Sequence, residues 1–202
     1  MHYNYTNLEK ARTFMWMFSF QTTQDFLAQS MYTGNNIPEN IINEVGARPI
    51  QYSTTENVDG FLNVRTHLNY GLPLNFMKCN FNISGGVHYS QSPSLVNGQV
   101  NTASNIGYNA RVVLGSNISE NIDFTLSWHG GYNQAKNSLA SKGGANEYFN
   151  HSASGNLKAV FWKGFTFTAS ASYVQNIGYT NDYNDSYALV NAYVGKKLFK
   201  NQ

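Results

Sequence analysis

Five histidines, His2, His67, His88, His129 and His151, are the side chains best suited to proton transfer or metal ligation. No two stand at H-x-H spacing and there is no H-E-x-x-H, so no metal site is expected. No serine sits in a G-x-S-x-G elbow. Neither G-x-x-x-x-G-K nor G-x-G-x-x-G occurs, so no phosphate or dinucleotide loop is present. Asn181 to Asp185 is rich in oxygen ligands but lacks the EF-hand spacing, and reads as a turn. No catalytic constellation and no cofactor are expected, and the chain does not read as an enzyme. The single cysteine, Cys79, cannot form an intrachain disulfide and reads as a small apolar side chain.

The polar side chains become informative once their positions are compared. From Phe61 to Ser90, Leu62, Val64, Thr66, Leu68, Tyr70 and Leu72 share one parity, and Asn63, Arg65, His67 and Asn69 the other. After a break at Leu72 to Asn75, the alternation resumes with Met77, Cys79, Phe81, Ile83, Gly85, Val87 and Tyr89. Period 2 over two long runs reads as a β-hairpin with one apolar and one polar face. Similar runs cover 105–116, 122–133, the second half of 148–161 and 165–177. Counting parity through all of them places Arg65, His67, Asn69, Lys78, Asn80, Asn82, His88, Asn109, Arg111, Asp123, His129, Asn156 and Lys158 on one polar face. These are the candidate site residues.

The whole chain reads as all-β, an antiparallel up-and-down meander of about nine long strands. Residues 1–11 read as turn-like. Connections alternate short and long, with short turns near 22–25, 72–75, 117–121 and 162–164. Polar loops are expected at 34–60, 90–104, 134–147 and 178–185. This is the pattern of an outer-membrane barrel, with tight periplasmic turns and longer outside loops. Phe76, Phe161, Trp162, Phe165 and Phe199 gather beside the short turns, and Tyr89, Tyr132, Tyr148 and Tyr173 toward the long loops. Two aromatic girdles are what a bilayer selects.

Composition agrees. Charged residues are 12% and aromatics 15%, and about one residue in seven is Asn, which suits strands and Asn/Gly turns. The net charge of +2 gives no footprint for nucleic acid. No apolar run is long enough for a transmembrane helix, and Met1 to Tyr5 does not resemble a signal peptide. Mean hydropathy is −0.40, as alternating barrel strands permit. The polar face is rich in Asn, Ser, Thr and Gly and poor in Lys and Glu, unlike a water-exposed sheet face. The strands are also long enough to cross a bilayer.

Four stretches resemble a known family: Asn7-Leu8-Glu9-Lys10-Ala11-Arg12-Thr13, Asn57-Val58-Asp59-Gly60, Gly71-Leu72-Pro73-Leu74 and Asn191-Ala192-Tyr193-Val194-Gly195-Lys196-Lys197-Leu198-Phe199-Lys200. With them the chain resembles the outer-membrane β-barrel proteins related to TonB-dependent receptors. The resemblance implies a segment of a transmembrane β-barrel in the bacterial outer membrane, one unit over 1–202 truncated at both ends. On this resemblance the family's plug, TonB box and last strands are expected to lie outside residues 1–202. The implied function is uptake of a bulky ligand, such as a metal chelate, oligosaccharide or peptide. The implied partners are outer-membrane lipid, the transported ligand, and a TonB-type energy-transducing protein acting through the plug region. The alternative, from the same alternation, is a secreted or surface-exposed soluble β-rich binding or adhesion module with its apolar face inward.

Overall fold

The computed structural model describes residues 1–116, 119, 121–139, 145–162, 164–178 and 184–196. Eleven strands form one sheet. They are β1 (His2–Asn7), β2 (Arg12–Thr23), β3 (Phe26–Thr33), β4 (Gln51–Val58), β5 (Phe61–Leu74), β6 (Cys79–Val96), β7 (Gln99–Ser116), β8 (Ile122–Asn137), β9 (Ala145–Phe161), β10 (Phe165–Ile177) and β11 (Asp185–Lys196). One short helix, α1 (Glu39–Val45), ends at Gly46, whose φ of 74° closes it in the left-handed region.

The main path is an antiparallel meander in the order β1-β2-β5-β6-β7-β8-β9-β10-β11. The all-β class is the one the alternation implies. Strands β5 to β10 run from 13 to 18 residues, two to three times the usual strand. The sheet is open: β1 and β11 are the two ends of its path.

The sheet departs from the sequence expectation in four places. Residues 2–7 are not turn-like but form β1, pairing with β2 from His2↔Met17 to Asn7↔Arg12. The expected loop at 34–60 contains α1 and β4, so the strands number eleven rather than nine. The expected loop at 90–104 is largely strand, and strand reaches into both ends of 134–147, at Gln134–Asn137 and Ala145–Glu147. β6 and β7 pair up to Val96↔Gln99, and the turn is only Asn97-Gly98, with φ of 53° and 77°. Two positive φ values make the tight hairpin turn that Asn-Gly favours.

The fourth departure concerns the rims. The break at 22–25 is not a hairpin turn beside 72–75. β2 pairs with β5 from Thr13↔Gly71 to Thr23↔Phe61, so Thr23 lies at the rim of the long connections. From there β3 and β4 form a separate hairpin. β3 lies parallel to the top of β6 at Ser30↔Leu95 and Met31↔Val96. Asn97 ties the two together, its Oδ1 accepting from Thr33 N at 2.8 Å. The opposite rim carries 8–11, the Asn75–Lys78 turn and the β7–β8 and β9–β10 connections. Of the residues expected there, Asn117, Ile118, Glu120, Lys163 and Phe199 lie outside the described ones, as do Asn181, Asp182 and Tyr183 of the oxygen-rich turn.

Very little is buried. Ala28, Ile37 and Cys79 are the buried hydrophobic residues among those described. The first two belong to the β3–β4 excursion, and Cys79 is packed at the lower rim, its Sγ 3.2 Å from the Met77 carbonyl. The accessible surface is 14339 Å², where a compact monomer of 22.6 kDa would show about 9,500 Å². The excess is the two faces of a single layer.

Candidate functional site

Register fixes which side chains share a face, because residues opposite one another across an antiparallel pair point the same way. On the apolar face Phe14, Tyr70, Ile83, Val112, Trp128, Ala153 and Tyr173 form one continuous row. Below it Leu72, Phe81, Leu114, Leu126, Gly155, Ala171 and Val190 form another. Leu68, Ile83, Leu126, Trp128, Leu157, Val190 and Val194 are exposed. No second layer covers them among the described residues.

Aromatic residues bracket this face. Toward the long connections, Phe18, Tyr108, Tyr132 and Phe149 lie on one row, with the rings of Tyr108 and Tyr132 6.2 Å apart. Near the short turns Phe161 stacks on Phe165 at 6.5 Å, and Trp162 is exposed. Phe149 and Phe161 are twelve residues apart on β9. At ~3.3 Å per residue and a tilt of ~40°, they stand roughly 30 Å apart along the barrel axis, the thickness of a bilayer's hydrocarbon. Two expected members depart from the girdle: Tyr148 is paired with Asn133, which puts it on the polar face, and Tyr173 is paired with Ala153, two rows nearer the middle of the band than Phe149.

Polar residues also stand on the apolar face: Gln134 and Glu147 at its upper end, and His151 with its partner Gln175 lower down. His151 lies between Phe149 and Tyr173 at 5.5 and 5.8 Å, and its Nε2 is 2.9 Å from Gln175 Oε1. Counting back by twos from Leu157 reaches it. The mixed composition of Tyr148 to Ser154 hid that signal.

On the polar face the expected residues fall on adjoining rows. Arg65 is opposite His88, and His88 is opposite Gly107. His67 is opposite Gly86, which is opposite Asn109. Asn69, Ser84, Arg111 and His129 make the next row. Arg65, His67, His88 and Asn109 line an open hollow of about 370 Å³ with Thr66 and Val87. Its floor depends on glycine. A Cβ on Gly86 would stand 3.0 Å from His67 Nδ1 and 3.3 Å from Asn109 Nδ2. A Cβ on Gly107 would run into the His88 ring. These glycines, and Asn133 beside them, were not among the expected site residues.

The remaining candidates lie nearer the short turns. Asn82 shares a row with Ser127 and Ser154, whose hydroxyls meet at 2.7 Å. Asn80 and Asn156 share the next row through Gly115 and Thr125. Asp123 directly faces Lys158 across β8 and β9. Lys78 does not belong to this face by parity: it sits in the Asn75–Lys78 turn at φ 49°, exposed. The turn, closed by Lys78 N bonding the Asn75 carbonyl, breaks the alternation.

Among the described residues no group of three or more His, Cys, Asp or Glu side chains could hold a metal ion. No helix among them is long and apolar enough to cross a membrane, which bears on helices only. No family model, curated protein or solved structure matches this chain.

Proposed function

We propose that the chain is a wall section of an outer-membrane β-barrel, of the kind related to TonB-dependent receptors, serving uptake of a bulky ligand. The supporting observation is a single-layer sheet with an uncovered apolar face, carrying an aromatic row toward the long connections and the Phe161–Phe165 pair about 30 Å away near the short turns. A soluble domain buries such a face against a second layer. In a bilayer, lipid is that second layer, and only closed barrels and helices satisfy the backbone there. In this reading the strands that close the barrel join at β1 and β11. The polar face lines the lumen, and the β3–β4 excursion, the Asn97-Gly98 turn and the β8–β9 connection face outward. Energy comes from a TonB-type partner acting through a plug region of the parent protein. The chain performs no covalent chemistry.

Cell fractionation with a heat-modifiability gel tests this. The parent protein is expected in the outer-membrane fraction, with a mobility that changes on boiling. A soluble parent whose mobility ignores boiling contradicts the proposal and favours the adhesion-module alternative.

A further inference from the structure

The geometry points to an oxoanion-binding site on the polar face, in the hollow between Arg65, His67, His88 and Asn109. At about 370 Å³ the hollow has room for roughly a dozen waters at ~30 Å³ each, enough for a compact anionic group. The Arg65 guanidinium is exposed. It is held at one point, with Nε donating to Asn63 Oδ1 at 3.2 Å. Its two terminal nitrogens remain to grip a carboxylate or phosphate in the forked geometry arginine favours. The Asn109 amide and the imidazole N–H groups of His67 and His88 add donors around it. One row below, Arg111 faces His129 and extends the same positive field.

Nothing in the neighbouring sheet neutralises that field. Along β2 and β5 to β9, Asp123 is the one carboxylate on the polar face among the described residues. It faces Lys158 and lies six residues down β8 from His129, roughly 20 Å away. A cation has no place beside the guanidinium. The ligand class is therefore a multivalent oxoanion, either a phosphate ester or a polycarboxylate, free or carried on a larger molecule. The site requires only that the polar face meet water, so it stands apart from the membrane reading.

Isothermal titration of the purified protein in detergent, with pyrophosphate and with citrate as probes, tests the assignment. The wild type is expected to bind at least one of them, and the preference between them names a phosphate or a carboxylate source. Arg65→Gln should weaken binding by about tenfold or more, as loss of a charge-assisted pair does. Arg65→Lys should fall between, having charge without the fork. Arg111→Gln should cost about threefold through the field alone. Lys158→Gln should stay within about twofold, since a Debye length of ~10 Å screens it. Arg65, Arg111 and Lys158 are all exposed, and circular dichroism confirms that each variant keeps its strand content. Three results overturn the site: no binding at about 10 mM probe, Arg65→Gln within twofold of wild type, or Lys158→Gln as damaging as Arg65→Gln.

Discussion

Leu126 and Ser127 are neighbours on β8 that meet opposite environments. Leu126 lies over Gly155, its Cδ2 3.1 Å from where a Cβ would stand, on the exposed apolar face. The Ser127 hydroxyl meets that of Ser154 at 2.7 Å on the polar face. Gly155 is midway between Phe149 and Phe161 on β9, so the Leu126 row marks the middle of the apolar band. Leu126→Lys should therefore destabilise the folded, membrane-inserted protein by about 2–4 kcal/mol. Asn82→Lys, on the polar face and exposed, should cost less than about 0.5 kcal/mol. Urea titration in lipid vesicles measures both, and equal costs would contradict the assignment of faces.

Glycine on the polar face is required where a neighbour's side chain lies across it. The His88 ring occupies the space a Gly107 Cβ would need, whereas nothing lies within 4 Å of one on Gly115. Gly107→Ala should destabilise by about 1–3 kcal/mol through overpacking and move the His88 imidazole resonances. Gly115→Ala should be neutral or stabilising by up to about 1 kcal/mol. The same urea titration and an imidazole NMR spectrum check the pair. Similar effects at both glycines would contradict the packing described.

The faces were legible in the sequence because a period of 2 needs only local alternation. Rims and partners were not. Thr23 to Phe26 is as short as a hairpin turn, yet β2 pairs with β5 and β3 with β4. The β2–β5 choice joins residues far apart in the chain, from Thr23↔Phe61 to Thr13↔Gly71. Gln91 to Ser94 and Asn101 to Ser104 carry no apolar alternation. They are strands because the Asn97-Gly98 turn sets their register. The candidate residues were mostly found by parity. That Arg111 meets His129 and that His88 covers Gly107 depend on hairpin register, which a turn of unknown length leaves open. Lys78 shows the cost of counting through such a turn.

The β3–β4 hairpin is fastened to the main sheet by its parallel pairing with β6, by the Asn97 N–H bond to the Met31 carbonyl at 2.8 Å, and by the Asn97 side chain, whose Oδ1 accepts from both Thr33 N at 2.8 Å and Thr33 Oγ1 at 3.3 Å. Asn97→Ala removes the side-chain bonds and places alanine at φ 53°. A local loss of about 1–2 kcal/mol is expected. Hydrogen exchange at Ser30 and Met31 should quicken roughly tenfold or more, with the β8–β9 amides unchanged. Unaltered exchange at Ser30 and Met31 would show that the hairpin is held by other contacts.

The rims should be distinguishable from outside the cell. Cys79 is buried and should resist a membrane-impermeant maleimide. In whole cells, Glu44→Cys on α1 should label from outside, and Asn75→Cys in the opposite turn should label only after lysis. The reverse pattern would invert the topology.

The central claim is that lipid covers the apolar face, and fluorescence quenching reads it most directly. The probe is Trp128 as sole tryptophan, with Trp16→Phe and Trp162→Phe, reconstituted in vesicles of brominated lipid. A second protein adds Trp128→Phe and His129→Trp to that background, moving the indole by one residue to the other face. Bromines on the acyl chains should quench Trp128 strongly and the relocated indole weakly, with aqueous iodide doing the opposite. Iodide quenching of Trp128 without quenching by bromolipid would contradict the account.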